Sequence, residues 1–285
     1  MLPDVLRERV AAALGVDVVA SETLSGGDFA SAHCVELADG RTVFAKTHGN
    51  PPPHFFTTEA AGLEWLAATG AAAVPALLHA SDEPPLLVLE WVDEARSAPS
   101  DEASFGRALA ALHSSGFECF GRPDGRTTGS LGLPNGPCDS WASFLSERRL
   151  RPLARIAADR AALGDAAIAR ILGLCERMDE VAPPAEPPSL LHGDLWAGNR
   201  IVDRSGRSWL IDPACFGGHR EFDLAMMLLF GGFGDAAFAA YHEVFPLADG
   251  WRDRIALNQL PPLVVHAIKF GGGYAAAVDR ALAQL

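Results

Sequence analysis

The segment Leu190–Asn199, which reads LLHGDLWAGN, constrains the chain more than any other stretch. Two leucines lead into a histidine, two glycines, an aspartate and an asparagine. Glycine weakens a helix or strand through backbone entropy, so Gly193 and Gly198 argue against a regular element here. An apolar pair followed by polar residues is instead typical of a strand that ends at a functional site. The alternative is a solvated turn in which Asp194 and Asn199 bond their own backbone.

A second carboxylate is predicted to arrive at the end of a hairpin. Two short apolar strands flank the turn-rich segment Asp203–Gly206, and the second strand runs directly into Asp212. In phosphoryl-transfer enzymes of the protein-kinase type, the aspartate that takes the acceptor's proton precedes a magnesium-binding asparagine by five positions, and another aspartate also binds magnesium. Asp194 is therefore the candidate base. Asn199 and Asp212 are the candidate ligands of Mg²⁺, and all three are candidate catalytic residues.

The N-terminal part of the chain has the residues that such a reaction needs for ATP. A loop with Gly26 and Gly27 precedes two alternating strands, and the second strand ends at Lys46. In the same template a glycine-rich loop covers the phosphates of ATP, and a lysine pairs with them. A glutamate of the next helix holds that lysine. Glu59 is the predicted partner because it faces the sheet, whereas Glu64 is predicted to be a solvated charge.

Four blocks of the sequence resemble one known family, the fructosamine (ketosamine) kinases. These blocks are HGDLWAGN at 192–199, IDPA at 211–214, GHREFDLAM at 218–226 and FGGGY at 270–274. The family is a branch of the aminoglycoside-phosphotransferase and choline-kinase group. That whole group shares the HGD and Asn, whereas Trp196 and the GHREFDLAM block are more specific to the fructosamine kinases. The resemblance extends from about Leu24 to Tyr274.

The resemblance implies an α+β protein-kinase-like fold of two lobes. The small lobe, residues 1–91, would bind the nucleotide with an antiparallel sheet and a helix. The larger, mainly helical lobe, residues 92–285, would hold the catalytic and acceptor-binding residues. A change to Asp, Ser and Pro between residues 93 and 102 is consistent with this boundary. In such a fold the backbone of the segment Glu90-Trp91-Val92, which follows a predicted strand, would bind adenine.

The resemblance also implies the reaction, in which ATP would phosphorylate the 3-hydroxyl of a ketosamine, either free or protein-bound. Trp196, Asn135 and His266 are the candidate substrate contacts. For Trp196 and His266, packing in the lobe is the alternative. Relatives tend to have glutamine where this chain has Leu133, so one polar substrate contact would be missing.

Two other functions stay open at this stage. An aminoglycoside or other small-alcohol phosphotransferase would use the same catalytic residues, although Trp196 and the GHREFDLAM block argue against it. A non-catalytic nucleotide-binding module would lack at least one of Lys46, Asp194, Asn199 and Asp212, and all four are present.

Composition excludes several classes of partner. The chain has a net charge of −13, whereas a nucleic-acid binder needs a basic face. No apolar run is long enough to span a bilayer, and no signal peptide is recognisable, so a cytoplasmic protein is expected. The five cysteines form no Cys-x-x-Cys pair and are expected to be reduced thiols.

Local patterns also predict most helices. The predicted helices are 5–14 ended by Gly15, 56–68, 102–115, 141–150 followed by Pro152, and 224–230, together with a helical region at 251–284. This last region is predicted to break at Pro261-Pro262 and at the glycines 271–273. Asp223 is predicted to cap its helix and to anchor the catalytic loop.

Overall fold

The structure, a computed structural model, describes residues 4–24, 30–95 and 100–285. The chain divides into two compact units. The first comprises Met1–Asp101 and Arg200–Pro213, and the second comprises Glu102–Asn199 and Ala214–Leu285. An antiparallel sheet with helices in the first unit and a mainly helical second unit confirm the predicted α+β class.

The described elements follow in chain order. The first unit contains α1 (Asp4–Leu14), β1 (Val18–Leu24), β2 (Ser31–Leu37), β3 (Thr42–Thr47), α2 (Phe55–Ala68), β4 (Leu77–Asp82) and β5 (Pro85–Glu90). The second unit has α3 (Glu102–Ser114), α4 (Trp141–Phe144), a π-helical segment (Leu145–Leu150), α5 (Arg151–Asp159), α6 (Asp165–Glu176), α7 (Met178–Val181) and β6 (Ser189–Leu191). The chain returns to the first unit with β7 (Arg200–Val202) and β8 (Ser208–Leu210). It ends in the second unit with β9 (Phe216–Gly218), α8 (Glu221–Leu229), α9 (Asp235–Val244), α10 (Ile255–Phe270) and α11 (Gly273–Leu282).

The sheet of the first unit has the order β1-β2-β3-β5-β4, with each neighbouring pair antiparallel. Successive residues of a strand point to opposite faces, so β5 contributes to two cores. Val88 packs in the core that includes α1, and Leu87 packs in the core that includes α2. Lys46 of β3 lies directly opposite Leu87 in the register. Because paired residues share a face, Lys46 lies on the face covered by α2.

The hairpin β7–β8 is hydrogen-bonded to the rest of the first unit. The N–H of Ala95 donates to the carbonyl of Val202 at 2.8 Å, and the N–H of Leu210 donates to the carbonyl of Ala73 at 2.8 Å. Asp212 therefore belongs to the same unit as Lys46. A single boundary after residue 91, as expected from the sequence, leaves residues 200–213 out of the first unit. Pairing between distant segments leaves no local signal in the sequence.

In the second unit, a short two-stranded sheet positions the segment that follows β6. β6 pairs antiparallel with β9, and Phe216 of β9 is buried among Trp141, Phe144 and Phe222. The ring centroid of Phe216 lies 5.2 Å from that of Phe144 and 5.7 Å from that of Phe222. Within the ranges that the structure describes, no helix combines the length and the apolar character needed to cross a membrane.

Two helices continue through prolines at which the sequence predicted an end or a break. The predicted break at Pro261-Pro262 is wrong, since α10 runs through both residues. The predicted end before Pro152 is also wrong. The π-helical segment that ends at Leu150 runs directly into α5, which includes Pro152 and continues to Asp159. A proline inside a helix removes a backbone donor and costs roughly 3 kcal/mol. In α10 the neighbouring Leu260 and Val264 are fully buried, and their packing offsets this loss.

The close packing of α3 against α9 depends on Gly106. A Cβ added at Gly106 would overlap the backbone of Ala237, whereas one added at Gly173 of α6 would have nothing within 4 Å. We expect Gly106→Ala to destabilise the protein by roughly 1–3 kcal/mol, because backbone atoms would have to move. The matched control Gly173→Ala should stabilise it by roughly 0.5–1 kcal/mol. Urea unfolding of both variants tests this, and equal midpoints would contradict the close approach.

Candidate active site

Lys46, Glu59 and Asp212 form a charged cluster in the first unit. Lys46 Nζ donates to Glu59 Oε2 at 2.9 Å and to Asp212 Oδ1 at 2.6 Å. The side chains of Lys46 and Glu59 are only 12% and 8% exposed, whereas that of Asp212 is 53% exposed. The lysine thus lies between an internal carboxylate and one that is open to solvent. Glu64, the other glutamate of α2, is exposed.

The two carboxylates determine the charge of the lysine. Burial lowers the pKa of Lys46, but the negative charges of Glu59 and Asp212 outweigh this effect, and the pKa lies above its ordinary value. Burial raises the pKa of Glu59 to about 7, and Lys46 partly opposes that rise. Lys46 therefore remains a cation near neutral pH.

Asp212 has an unusual backbone conformation. Its φ is 53°, in the left-handed region. Non-glycine residues rarely adopt this region, although aspartate does so more readily than most. Such conformations cluster at functional sites, where the surrounding structure maintains them. The conformation of Asp212 therefore supports a functional role for this residue.

In the second unit, the buried carboxylate of Asp223 holds the loop that follows β6. Asp223 accepts the N–H of His192 at 2.7 Å and the N–H of Gly193 at 3.0 Å, one with each oxygen. His113 Nε2 lies 3.3 Å from Oδ2 of Asp223, and Nδ1 of His113 lies 2.9 Å from the hydroxyl of Tyr241. The predicted anchor is therefore present. The predicted cap is wrong, because α8 begins two residues before Asp223.

Gly193 allows the loop to pass close to the segment after Asp212. Its φ is 81°, and an added Cβ would overlap the carbonyl oxygen of Ala214. The N–H of Ala214 donates to the carbonyl of His192 at 2.9 Å, so the two segments are bonded at this point. Only glycine has both the conformational freedom and the space for this position.

Asn199 orients Asp194. Its Nδ2 donates to the backbone carbonyl of Asp194 at 2.9 Å and to Oδ2 of the Asp194 side chain at 3.1 Å. Asn199 is buried in the 3₁₀ turn Ala197–Asn199, whereas Asp194 is half-buried. Because the amide nitrogen is used in this way, the amide oxygen is the atom of Asn199 that could bind a metal ion.

The donor atoms suit magnesium. Mg²⁺ prefers oxygen ligands, and proteins usually hold it through one or two carboxylates together with substrate phosphates. Among residues 4–24, 30–95 and 100–285, no group of three or more His, Cys, Asp or Glu is arranged to hold a metal ion. Asp212 of the first unit offers a carboxylate and Asn199 of the second unit offers an amide oxygen, and both are oxygen donors of the kind that Mg²⁺ prefers.

An aromatic cluster begins two residues after Asp194. The ring of Trp196, which is 38% exposed, lies edge-on to Phe230 with centroids 5.9 Å apart. His266 lies 5.1 Å from Phe230, 5.4 Å from Phe270 and 5.0 Å from Tyr274. We call these five residues the aromatic cluster. Phe230 thus connects Trp196 with His266, two residues that the sequence predicted as substrate contacts.

Asn135 is placed differently from the other candidate substrate residues. It is fully buried, and its Nδ2 donates to the carbonyl of Arg126 and to Oγ1 of Thr128, each at 3.0 Å. Its Oδ1 accepts from Arg149 at 2.5 Å. Both hydrogens of the amide are used inside the protein, so Asn135 has no donor left for a substrate. We correct its assignment to a structural role. Leu133 pairs with Thr128 in the same loop.

The remaining nucleotide candidates lie at the end of β5 and in the glycine loop. Oε2 of Glu90 accepts the N–H of Ala76 at 3.1 Å, and Nε1 of Trp91 donates to Asp93 at 2.9 Å. These two side chains are thus bound locally, and Val92 follows them half-buried. Gly26 and Gly27 lie outside the described residues.

The fold is that of the protein-kinase-like phosphotransferases. The structure is similar to that of the choline kinase LicA from Streptococcus pneumoniae, with a TM-score of 0.69 over 99% of each chain. A structure of LicA with AMP matches equally well. Because the sequences are only 15% identical, this similarity shows the fold alone.

The sequence shows the family. Residues 5–285 match the fructosamine kinase family. The chain is 35% identical to a ketoamine kinase of Synechocystis, over 92% of this chain and 88% of that one. A crystal structure from Thermobifida fusca, described as a fructosamine-3-kinase, is 37% identical, with a TM-score of 0.91 and full coverage of both chains. The protein belongs to the fructosamine kinase family, as its motifs predicted, and is an ATP-dependent phosphotransferase that acts on a hydroxyl group.

Two residues of the site gave little signal in the sequence. Phe230 ends an apolar run that is typical of a buried helix, and nothing in that run indicates its exposed contact with Trp196. His113 has the pattern of a packing residue within an apolar helix. Its contact with Asp223 depends on the pairing of distant helices, which no local motif marks.

His219, which belongs to the GHREFDLAM block, should make stability depend on pH. Burial lowers its pKa from 6.5 to about 4, although Glu186 opposes this shift. The contribution of the neutral His219 to the free energy of unfolding is therefore fully present above pH 6.5. It is lost as the pH falls toward 4, because the unfolded chain takes up the proton first. Between pH 7 and pH 5 the protonation of His219 should lower the free energy of unfolding by about 2 kcal/mol.

His219→Asn should lose less stability on acidification than the wild type, as measured by urea unfolding at pH 7 and pH 5. Its side-chain oxygen can still accept the N–H of Glu221, which Nδ1 of His219 accepts at 3.3 Å. The exposed His242 of α9 provides the control His242→Asn, which should keep the wild-type pH dependence. An unchanged pH dependence in His219→Asn would refute the assignment.

Proposed function

We infer that the protein is a ketosamine kinase, which transfers the γ-phosphoryl group of ATP to the 3-hydroxyl of a ketosamine. The observation that carries this proposal is the Asp194 carboxylate, held by Asn199, with the exposed ring of Trp196 two residues further on. An aromatic face packs well against the C–H surface of a sugar. The ketoamine kinases among the relatives support the same class of acceptor.

The first unit supplies the groups for the nucleotide. Lys46, kept as a cation by Glu59 and Asp212, would pair with the ATP phosphates. The backbone of Glu90, Trp91 and Val92 would bind adenine, and the loop with Gly26 and Gly27 would cover the phosphates. Mg²⁺ bound through Asp212 and Asn199 would neutralise the charge that develops on the transferred group.

The second unit supplies the groups for the acceptor. Asp194 would accept the proton of the 3-hydroxyl as the bond from that oxygen to phosphorus forms and the bond from phosphorus to the departing ADP oxygen breaks. Asn199 holds Oδ2 of Asp194 in place for this step. The transition state is loose, so positioning and charge neutralisation provide most of the catalysis.

A non-catalytic nucleotide-binding role fits the structure less well. Such a module has no need for an oriented base, yet Asp194 receives two bonds from Asn199, and Asp223 anchors the residues just before it. Orienting a half-buried carboxylate has a conformational cost. A base that must abstract a proton accounts for that cost.

Replacing Asp194 should abolish turnover but preserve nucleotide binding. We expect Asp194→Ala to lower kcat by roughly 100-fold or more, because a general base contributes roughly that much. ATP affinity should hold, since the side chain acts on the acceptor. Steady-state kinetics and nucleotide titration measure the two quantities. The control is Asp179→Ala, at an exposed position of α7, which should keep both. If Asp194→Ala kept more than about a tenth of kcat, the base would have to be another group.

Trp196 should determine the acceptor. If its ring is a platform for the sugar, Trp196→Ala should lower kcat/KM for a ketosamine by roughly tenfold while the melting temperature holds, because the loss of packing affects only the bound substrate. If Trp196 only anchors the loop, stability and activity should fall together. Trp251→Ala, which removes a tryptophan stacked on Phe238, is the matched control. Wild-type enzyme that phosphorylates kanamycin-type substrates well and ignores fructoselysine would disprove the proposed acceptor.

A further inference from the structure

The first turn of α2 is capped by a residue from a distant strand. His54, the residue just before α2, has a φ of 60° and makes no capping bond with its side chain. Instead, Oδ1 of Asp82 in β4 accepts the N–H of Phe56 at 2.9 Å and the N–H of Thr57 at 3.3 Å. The hydroxyl of Thr57 donates to Oδ2 of the same carboxylate. Asp82 therefore takes the place of the side chain that usually caps a helix from within its own sequence.

The carboxylate of Asp82 also complements the charge at the beginning of α2. The N-terminus of a helix carries a partial positive charge, and residues 55–58, the first turn of α2, include no carboxylate. The side chain of Asp82 is only 22% exposed, so water screens this attraction only in part. Asp82 thus stabilises the first turn of α2 through both its hydrogen bonds and its charge.

The capped end of α2 carries Glu59. Phe56 and Glu59 are three residues apart, or about 4.5 Å along the helix axis, so they are neighbours on one side of the helix. Both residues are buried. Glu59 accepts from Lys46 Nζ at 2.9 Å, and the same nitrogen also donates to Asp212 at 2.6 Å. The position of α2 therefore determines how Lys46 is shared between Glu59 and Asp212.

The sheet of the first unit fixes Asp82 relative to Lys46. Leu87 of β5 lies opposite Lys46 of β3 on one side and opposite Ala80 of β4 on the other. Alternate residues of a strand point to the same face, so Asp82 lies on the same face as Ala80. Ala80 packs in the core that includes α2. Lys46 and the carboxylate that caps α2 therefore project from the same face of one sheet.

A side-chain hydrogen bond strengthens this arrangement at the end of β3. Thr47, the residue after Lys46, donates from its hydroxyl to the carbonyl of Pro85 at 2.7 Å. Pro85 is in turn the partner of Asp82 in the register of β4 and β5. The turn between these two strands is thus bonded to the end of β3 on one side and to the beginning of α2 on the other. These are the elements that carry Lys46 and Glu59.

We propose that Asp82 is a positioning residue for phosphate binding, which holds the first turn of α2 where Glu59 meets Lys46. The proposal rests on the role inferred above for Lys46, which is to bind the phosphates of ATP. Asp82 acts indirectly, because its carboxylate bonds the helix and Glu59 bonds the lysine. Where the first turn of α2 opens, Lys46 is left to Asp212 alone. The apparent affinity for phosphates then falls with the fraction of molecules in which the pair of Lys46 and Glu59 is formed.

The affinities of the full-length protein for ATP with Mg²⁺ and for adenosine test this proposal. Their ratio isolates the phosphates, because both ligands have the same base and ribose. Asp82→Ala should lower the preference for ATP about fivefold, which corresponds to about 1 kcal/mol, the typical contribution of a helix cap. Adenosine affinity should hold. Asp82→Asn keeps an oxygen that can accept both N–H groups, so its preference should stay within about twofold of the wild type. Both variants should remain folded, since a cap is a small part of the stability of a domain.

Asp39→Ala is the matched control. Asp39 lies in the turn between β2 and β3 and also accepts a backbone N–H, that of Arg41 at 3.1 Å. The control should keep the wild-type preference for ATP. If Asp82→Ala lowered the melting temperature but kept that preference, or weakened ATP and adenosine equally, Asp82 would be a structural cap only and the proposal would be overturned.

Lys46→Ala separates this proposal from the function on which it rests. It should remove most of the preference for ATP over adenosine, because the side chain that pairs with the phosphates is lost. A loss in Lys46→Ala without a loss in Asp82→Ala would overturn only the positioning role of Asp82. An unchanged preference in Lys46→Ala would instead refute the inferred role of Lys46, and the positioning role would fail with it.

Discussion

The buried carboxylate of Asp223 provides the hydrogen bonds on which the loop after β6 depends. Removing a carboxylate from water is costly unless hydrogen bonds replace the lost hydration. Here the N–H groups of His192 and Gly193 bond the two oxygens, and His113 lies beside one of them. Because each oxygen binds a different residue, the loop is fixed in both position and direction just before Asp194. Asp194, the proposed base, therefore follows a firmly held segment, as a group that must meet one hydroxyl requires.

The second requirement is that distant parts of the chain meet around Lys46. Lys46 lies on a strand, Glu59 on a helix and Asp212 at the end of a hairpin that returns from the second unit. The chain leaves the second unit just after Asn199 and re-enters it just after Pro213. The hairpin is thus a covalent connection between residues assigned to the acceptor and a residue assigned to the nucleotide. A change in this hairpin would therefore affect both groups of residues.

Local chemistry made much of the fold predictable. The buried strand that runs up to Glu90, and the helix that Gly15 ends, have causes within a few residues. The predictions failed where distant packing decides the outcome. Pro261 was expected to break a helix that buried neighbours in fact maintain. Asn135 resembled a substrate contact, but Arg149 and the backbone of its own loop bind its amide. Contacts of this kind depend on how the loop and the helices pack, and the residues next to Asn135 or Pro261 in the sequence do not indicate them.

Acceptor choice must come from residues other than the phosphoryl-transfer set. The fold supports several acceptors, as its similarity to a choline kinase illustrates, and a fold alone does not determine function. An oriented aspartate and a paired lysine serve any hydroxyl. In the proposed function, the exposed rings of Trp196 and Phe230 would pack against the sugar and so distinguish it from other acceptors. On this proposal, acceptor selectivity and phosphoryl transfer are separable, because different side chains would govern them and Trp196 can be altered without touching Asp194.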